Sequence, residues 1–144
     1  MEPAFWDTSA LVPLCVTQRS SQELRQLSRQ YAIVVWWATP VEARSAFARD
    51  LRSGILSSGE HEMALERLDR LGHTWREIVP NDSLRTLAEE IIGQYPLRAA
   101  DAFQLAAAYT WSISRPFRRH LISGDRRLLG AAQAMGFRVI QVSS

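Results

Sequence analysis

Four carboxylates stand where strand-forming sequence gives way to helix-forming sequence: Asp7, Glu42, Asp101 and Asp125. Each of three has an ordinary explanation. Asp7 precedes Thr8-Ser9 and fits a cap or turn. Glu42 lies three residues after Thr39, the spacing of a capping box. Asp125, between Gly124 and a helix, fits an N-cap. Asp101 resists such an account, because Ala99–Ala108 has almost no polar face and a helix apolar all round is a buried one. A buried carboxylate tends to protonate unless something compensates it. Help from the helix dipole, about 0.3–1 kcal/mol when exposed, is small for that task. A bound cation is the simplest compensation. Oxygen ligands with no cysteine or histidine among them suit Mg²⁺ or Mn²⁺ rather than zinc.

Strands and helices must bring these acids together. Ala4–Trp6 reads as a first strand, Ser20–Tyr31 as a helix with Leu24 and Leu27 on one face, and Ala32–Trp37 as a strand. Thr39 opens a helix through about Arg52, with Pro40 in its first turn. Gly59–Leu71 is helical, with Met63, Leu68 and Leu71 as core candidates. Ile78-Val79 is a short strand, and Asp82 or Ser83 caps a helix through Ile92. Beyond Pro96 come a helix over Arg98–Trp111, a strand over His120–Ser123, a helix from Asp125 to Met135 ended by Gly136, and a strand over Phe137–Val142. Strand–helix alternation argues for a parallel sheet covered on both faces. Asp7 and Asp125 then follow strand ends, while Glu42 and Asp101 open helices. Ligands of open parallel sheets bind at such carboxyl ends, so all four acids can share one crevice.

Composition narrows the chemistry. The chain has 144 residues, 47% hydrophobic and 22% charged, as expected of one globular domain over 1–144. All 17 basic residues are arginine, so a catalytic lysine is excluded. That also disfavours a phosphoaspartate phosphatase or receiver domain, as does Asp7-Thr8-Ser9 in place of Asp-x-Asp. Arginine suits bidentate phosphate contact. The single cysteine, Cys15, lies in the apolar run Leu11–Val16 and reads as a buried hydrophobe. Neither a signal peptide nor a membrane span is apparent, and a cytoplasmic location is expected.

The motifs resemble those of PIN-domain proteins. Trp6-Asp7-Thr8-Ser9-Ala10-Leu11 is similar to their opening, and Val41-Glu42-Ala43-Arg44-Ser45-Ala46-Phe47 to their second acidic motif. Arg98–Ala107, with Asp101, resembles the third, and Leu121-Ile122-Ser123-Gly124-Asp125-Arg126-Arg127-Leu128 the fourth. Order and length match over essentially the whole chain, and the VapC-type toxins of toxin–antitoxin pairs are the nearest comparison. The resemblance implies a three-layer α/β/α domain with a parallel sheet of about five strands. It implies a Mg²⁺- or Mn²⁺-dependent endoribonuclease, a cognate antitoxin protein as partner, and a homodimer. Asp7 and Asp101 would be principal metal ligands, Glu42 and Asp125 would complete the shell or bind a second ion, and Ser9 and Ser123 would orient carboxylates or water. Some members carry another acid after the fourth motif, where Arg126 and Arg127 stand here.

Arg126 and Arg127, with Arg118 and Arg119 ahead of His120, are candidates for RNA phosphate contact, and Arg115 clusters in the same loop as the latter pair; solvated surface arginine is the plain alternative. Trp36 and Trp37 point to opposite faces of a strand, one toward the core and one available to a partner. His61, His73 and His120 lack ligand spacing and read as structural or surface residues, and Met135 as core. With no extension expected beyond the strand ending at Val142, an inhibitor would act in trans. The rival readings are a non-catalytic binding module of the same fold and a housekeeping PIN nuclease.

Overall fold

The computed structural model describes residues 1–16, 22–113 and 115–142. Five strands, β1 (Glu2–Trp6), β2 (Tyr31–Trp36), β3 (Arg76–Ile78), β4 (His120–Ser123) and β5 (Arg138–Gln141), form one sheet in the order β3-β2-β1-β4-β5. Every pairing is parallel, with Phe5 opposite Val34 on one side and Leu121 on the other. The helices are α1 (Thr8–Cys15), α2 (Gln22–Gln30), α3 (Thr39–Arg52), α4 (Ser58–Gly72), α5 (Asp82–Gln94), α6 (Ala99–Trp111) and α7 (Arg126–Ala134). The fold is three-layered α/β, as the sequence predicts.

Both faces of the sheet are buried, which is why its central strands are apolar without alternation. Phe5, Val34, Trp36 and Leu121 pack with Leu84, Ile91, Leu105 and Leu128 of α5, α6 and α7. Ala4, Trp6, Ile33, Val35 and Ile122 face the opposite way, against Leu11 of α1 and Leu24 of α2. A third cluster, including Val12, Cys15, Phe47 and Leu68, joins α1, α3 and α4. Cys15 is a free, buried thiol, and burial raises its pKa to about 12. It is inert packing.

Local chemistry corrects several expectations. Helix α1 falls in a stretch that gave no helical signal, because it is apolar on every side and holds Pro13. Tyr31 begins β2 rather than ending α2, while the expected helix start at Ser20 lies outside the described residues. Trp36 is core and stacks on Phe103, 5.6 Å and 3° apart, whereas Trp37 follows β2 and is exposed. In α4, Ser57 and Glu60 form a reciprocal capping box, and Ala64 and Leu68 face inward. Met63, expected in the core, is exposed; Leu71 and Met135 are partly buried. Strand β3 ends at Ile78, leaving Val79 exposed, and Asn81 rather than Asp82 or Ser83 caps α5, accepting from the Leu84 N–H at 2.8 Å. Gly136 does end α7, at a positive φ of 102° that disfavours other residues.

Candidate active site

Strand β1 lies between β2 and β4, so the chain runs outward from it in both directions. The crevice at the carboxyl ends of β1 and β4 is therefore the place where an open parallel sheet holds ligands. Asp7 sits there. Its N–H extends the sheet to Ile122 O at 3.0 Å, and its backbone occupies the N-cap position of α1. The side chain makes no cap bond. Instead Oδ2 accepts from Ser9 Oγ at 2.6 Å and Ser123 Oγ at 2.8 Å. With each hydroxyl proton given to Asp7, the serine oxygens remain acceptors. Ser9 Oγ takes the Gly124 N–H, and Ser123 Oγ takes the Asp125 N–H, both at 2.9 Å. The two serines thus tie the turn after β4 to the acid after β1.

Glu42 is not part of a capping box. Helix α3 begins one residue earlier than that reading requires, with Ala38 at the N-cap and no side-chain cap bond. Glu42 Oε1 accepts from Thr8 Oγ1 at 2.6 Å and Gln104 Nε2 at 2.7 Å. Gln104 is buried and its amide also reaches Thr8 Oγ1 at 3.0 Å and Thr39 Oγ1 at 3.3 Å. Helix α6 is thereby fastened to α1 and α3 around one carboxylate. Thr8, Thr39 and Gln104 escaped notice as site residues, although Gln104 is the one polar residue in Ala102–Ala108. Its spacing of three from Asp101 places both on the same helix face.

Asp101 is half-buried rather than enclosed, since the first turn of α6 is exposed. Asp125 does act as a cap: its Oδ1 accepts from the N–H groups of Arg127 and Leu128 at 2.9 and 3.3 Å. The cap and a ligand role are compatible, because both bonds fall on one oxygen. Burial raises the pKa of Asp7 above the ordinary 3.8, the two serine bonds oppose that rise, and Glu42 adds to it. The Asp101 carboxyl is raised by its own desolvation first, then by Asp125 and Asp7, with Arg98 opposing. Asp7 therefore feels Glu42, and Asp101 feels both Asp125 and Asp7.

The donor set is all oxygen, and the mutual repulsion is what a cation would relieve. No three of the described His, Cys, Asp and Glu side chains stand close enough to enclose an ion together. Two cavities open beside the acids. One, of about 880 Å³, runs between α1 and α3 and includes Glu42, Val12, Val41 and Arg49 in its wall. The other, of about 570 Å³, holds Asp101 and Asp125 together with Arg98, Arg126 and Arg127.

Arg115, Arg118 and Arg119 are not brought to this crevice. They lie before β4, at the amino ends of the strands, where Arg118 covers the Phe117 ring at 5.4 Å and Arg119 the Trp111 ring at 5.0 Å. His120 is at that end too, beside Tyr31 at 5.1 Å between ring centroids, in keeping with a structural role. Among the described residues, no helix is long and apolar enough to cross a membrane.

No family model matches this chain, and no curated protein matches it. Solved structures do resemble it. A toxin–antitoxin complex from Klebsiella pneumoniae contains a chain with a TM-score of 0.64 and 18% identity, covering 88% of this chain and 91% of that one. PAE2754 from Pyrobaculum aerophilum gives 0.57 and 20% identity over 96% and 89%. A chain in the structure of FitAB bound to an IR36 DNA fragment gives 0.66 and 14% identity over 96% and 94%. At these identities the likeness establishes the fold.

Proposed function

We propose that this chain is a Mg²⁺- or Mn²⁺-dependent endoribonuclease of the PIN-domain type, acting as the toxin of a toxin–antitoxin pair. The observation that carries the reading is a buried Asp7 at the strand switch point, coupled to Glu42 on one side and Asp101 with Asp125 on the other. Asp7 and Asp101 would hold the ion, with Glu42 and Asp125 completing its shell or holding a second. When bound, a divalent ion supplies the Lewis acidity that phosphodiester hydrolysis needs. Ser9 and Ser123 fix Asp7 through Oδ2, and Thr8 and Gln104 fix Glu42 through Oε1. Such bonds hold the carboxylates in place before substrate arrives. Water would add to phosphorus opposite the 3′ oxygen as the P–O3′ bond breaks; a carboxylate takes a proton from the attacking water and a solvent water protonates the departing 3′ oxygen, leaving a 5′-phosphate and a 3′-hydroxyl.

The toxin assignment draws support from the similarity to a chain of a toxin–antitoxin complex. An antitoxin arginine placed among the acids would pair with a carboxylate and exclude the metal. Incubation of defined RNAs with and without Mn²⁺ tests the activity. Asp101→Asn should abolish cleavage while retaining the fold, and undiminished cleavage by that variant would refute the site. Expression of the chain alone should arrest bacterial growth, and co-expression with a small protein encoded beside it should restore growth. Growth unaffected by an active form would favour a housekeeping nuclease.

A further inference from the structure

Positive charge is spread unevenly around the four acids. The larger cavity has Glu42 and one arginine in its wall, Arg49, which is bonded to Ser45 at 3.1 Å. The smaller brings Asp101 and Asp125 together with Arg98, Arg126 and Arg127, two carboxylates against three guanidinium groups. All three arginines stand where a helix disfavours positive charge. Arg98 is the N-cap residue of α6 and its side chain makes no cap bond, while Arg126 and Arg127 open α7. Acidic and small polar side chains are the stabilising choice at such positions, so the helices themselves do not account for arginine. Nor do ion pairs. Among the described residues none closes between these arginines and Asp101 or Asp125; the pairs with Asp or Glu lie elsewhere, at Arg44–Asp69, Arg85–Asp82 and His120–Glu2. The three exposed guanidinium groups thus lend charge to the cavity without taking up carboxylate oxygens, and Asp125 keeps one oxygen clear of its two cap bonds.

We infer that Arg98, Arg126 and Arg127 stand in for a second divalent ion, so that this centre takes one ion and no more. The inference rests on the metal-dependent reading and fixes how many ions that reading requires. Two divalent ions would balance four carboxylates by themselves. One ion with three guanidinium groups already exceeds four negative charges, and a second ion would enter a half of the crevice whose own side chains carry a net positive charge. The penalty is not small. A divalent ion about 7 Å from a single guanidinium loses roughly tenfold in affinity even at the dielectric of water, and more in a crevice. Arginine is also the cation that keeps its charge whatever its surroundings, because its guanidinium stays protonated. The charge it supplies is therefore permanent, whereas that of an ion depends on supply.

The test counts ions directly and needs no RNA. Mn²⁺ is titrated into the protein while the electron paramagnetic resonance signal of free Mn²⁺ gives the number bound. The parent chain should bind one. The pair Arg126→Gln with Arg127→Gln removes two charges at exposed positions and adds no carboxylate, and it should bind two. The pair Arg126→Lys with Arg127→Lys keeps the charge and should stay at one, as should Arg118→Gln at the far end of the strands. Arg98→Gln alone should tighten the first ion by roughly tenfold. Two ions on the parent chain would overturn the inference and leave the metal-dependent reading intact. One ion on the glutamine pair would overturn it as well, since the arginines would not be what limits the number. Two ions on the lysine pair would do the same, because charge would not be the cause. No ion on the parent chain would refute the metal-dependent reading itself, and this inference with it.

Discussion

Asp7 is held in a state that costs the metal-free protein stability. The residue is 5% exposed, and its pKa is raised by burial first, against the two serine bonds, with Glu42 adding to the rise. Between the ordinary 3.8 and that raised value, the folded chain binds more protons than the unfolded chain. Stability must then fall as pH rises through this window and stay low above it. Asp7→Asn removes the charge, so the metal-free variant should match the parent near pH 4 and exceed it at pH 8. Urea denaturation at several pH values checks this; parallel curves for the two proteins would contradict the burial argument. The four acids were legible in sequence because each interrupts an otherwise apolar or helix-opening segment. Their partners were less so. Ser9 and Ser123 stand beside acids in the chain, whereas Gln104 meets Glu42 only through the packing of α6 on α3, which no local pattern announces.

The helices position the site through contacts made at their ends. Helix α6 offers Asp101 from its first turn and Gln104 from its second, so one rigid element serves both halves of the crevice. Gln104→Ala would release Glu42 from one bond and leave α6 unfastened from Thr8 and Thr39. A hydrogen bond to a charged group contributes about 1.5–3 kcal/mol, and the variant should lose stability of that order. Cleavage should fall further than stability alone explains, because Glu42 loses half of its support. Denaturation and initial rates measured on the same preparation separate the two effects, and a normal rate in a destabilised variant would make Gln104 purely structural. The elements that sequence identifies well are those with a strong boundary signal: β4 over His120–Ser123 and α6 after Pro96 both agree with the structure. Helix α1 carries no such signal. An interior proline normally opposes a helix, and only burial between the sheet, α3 and α4 explains why Thr8–Cys15 adopts one.

At the scale of the whole molecule, the parallel three-layer class follows from alternating strands and helices, but strand order does not. The order puts β1 at the centre with β4 beside it, and this brings Ser123 to Asp7 across more than a hundred residues of sequence. The sheet thus places four acids near the carboxyl ends of its strands, an arrangement that a bound cation would stabilise. A ligand that binds the folded state alone stabilises it by mass action, by about 2.7 kcal/mol at one hundred times its dissociation constant. For a chain of this size each kcal/mol raises Tm by roughly 2–4 °C, so saturating Mn²⁺ should raise Tm by roughly 5–11 °C. Asp7→Asn and Asp101→Asn should each blunt that rise. Ser57→Ala, which breaks the capping box of the distant helix α4, should lower Tm yet keep the full metal response. A melting temperature indifferent to Mn²⁺ in the parent protein would mean that the carboxylates share a crevice without sharing an ion, and the fold would then be serving as a binding module.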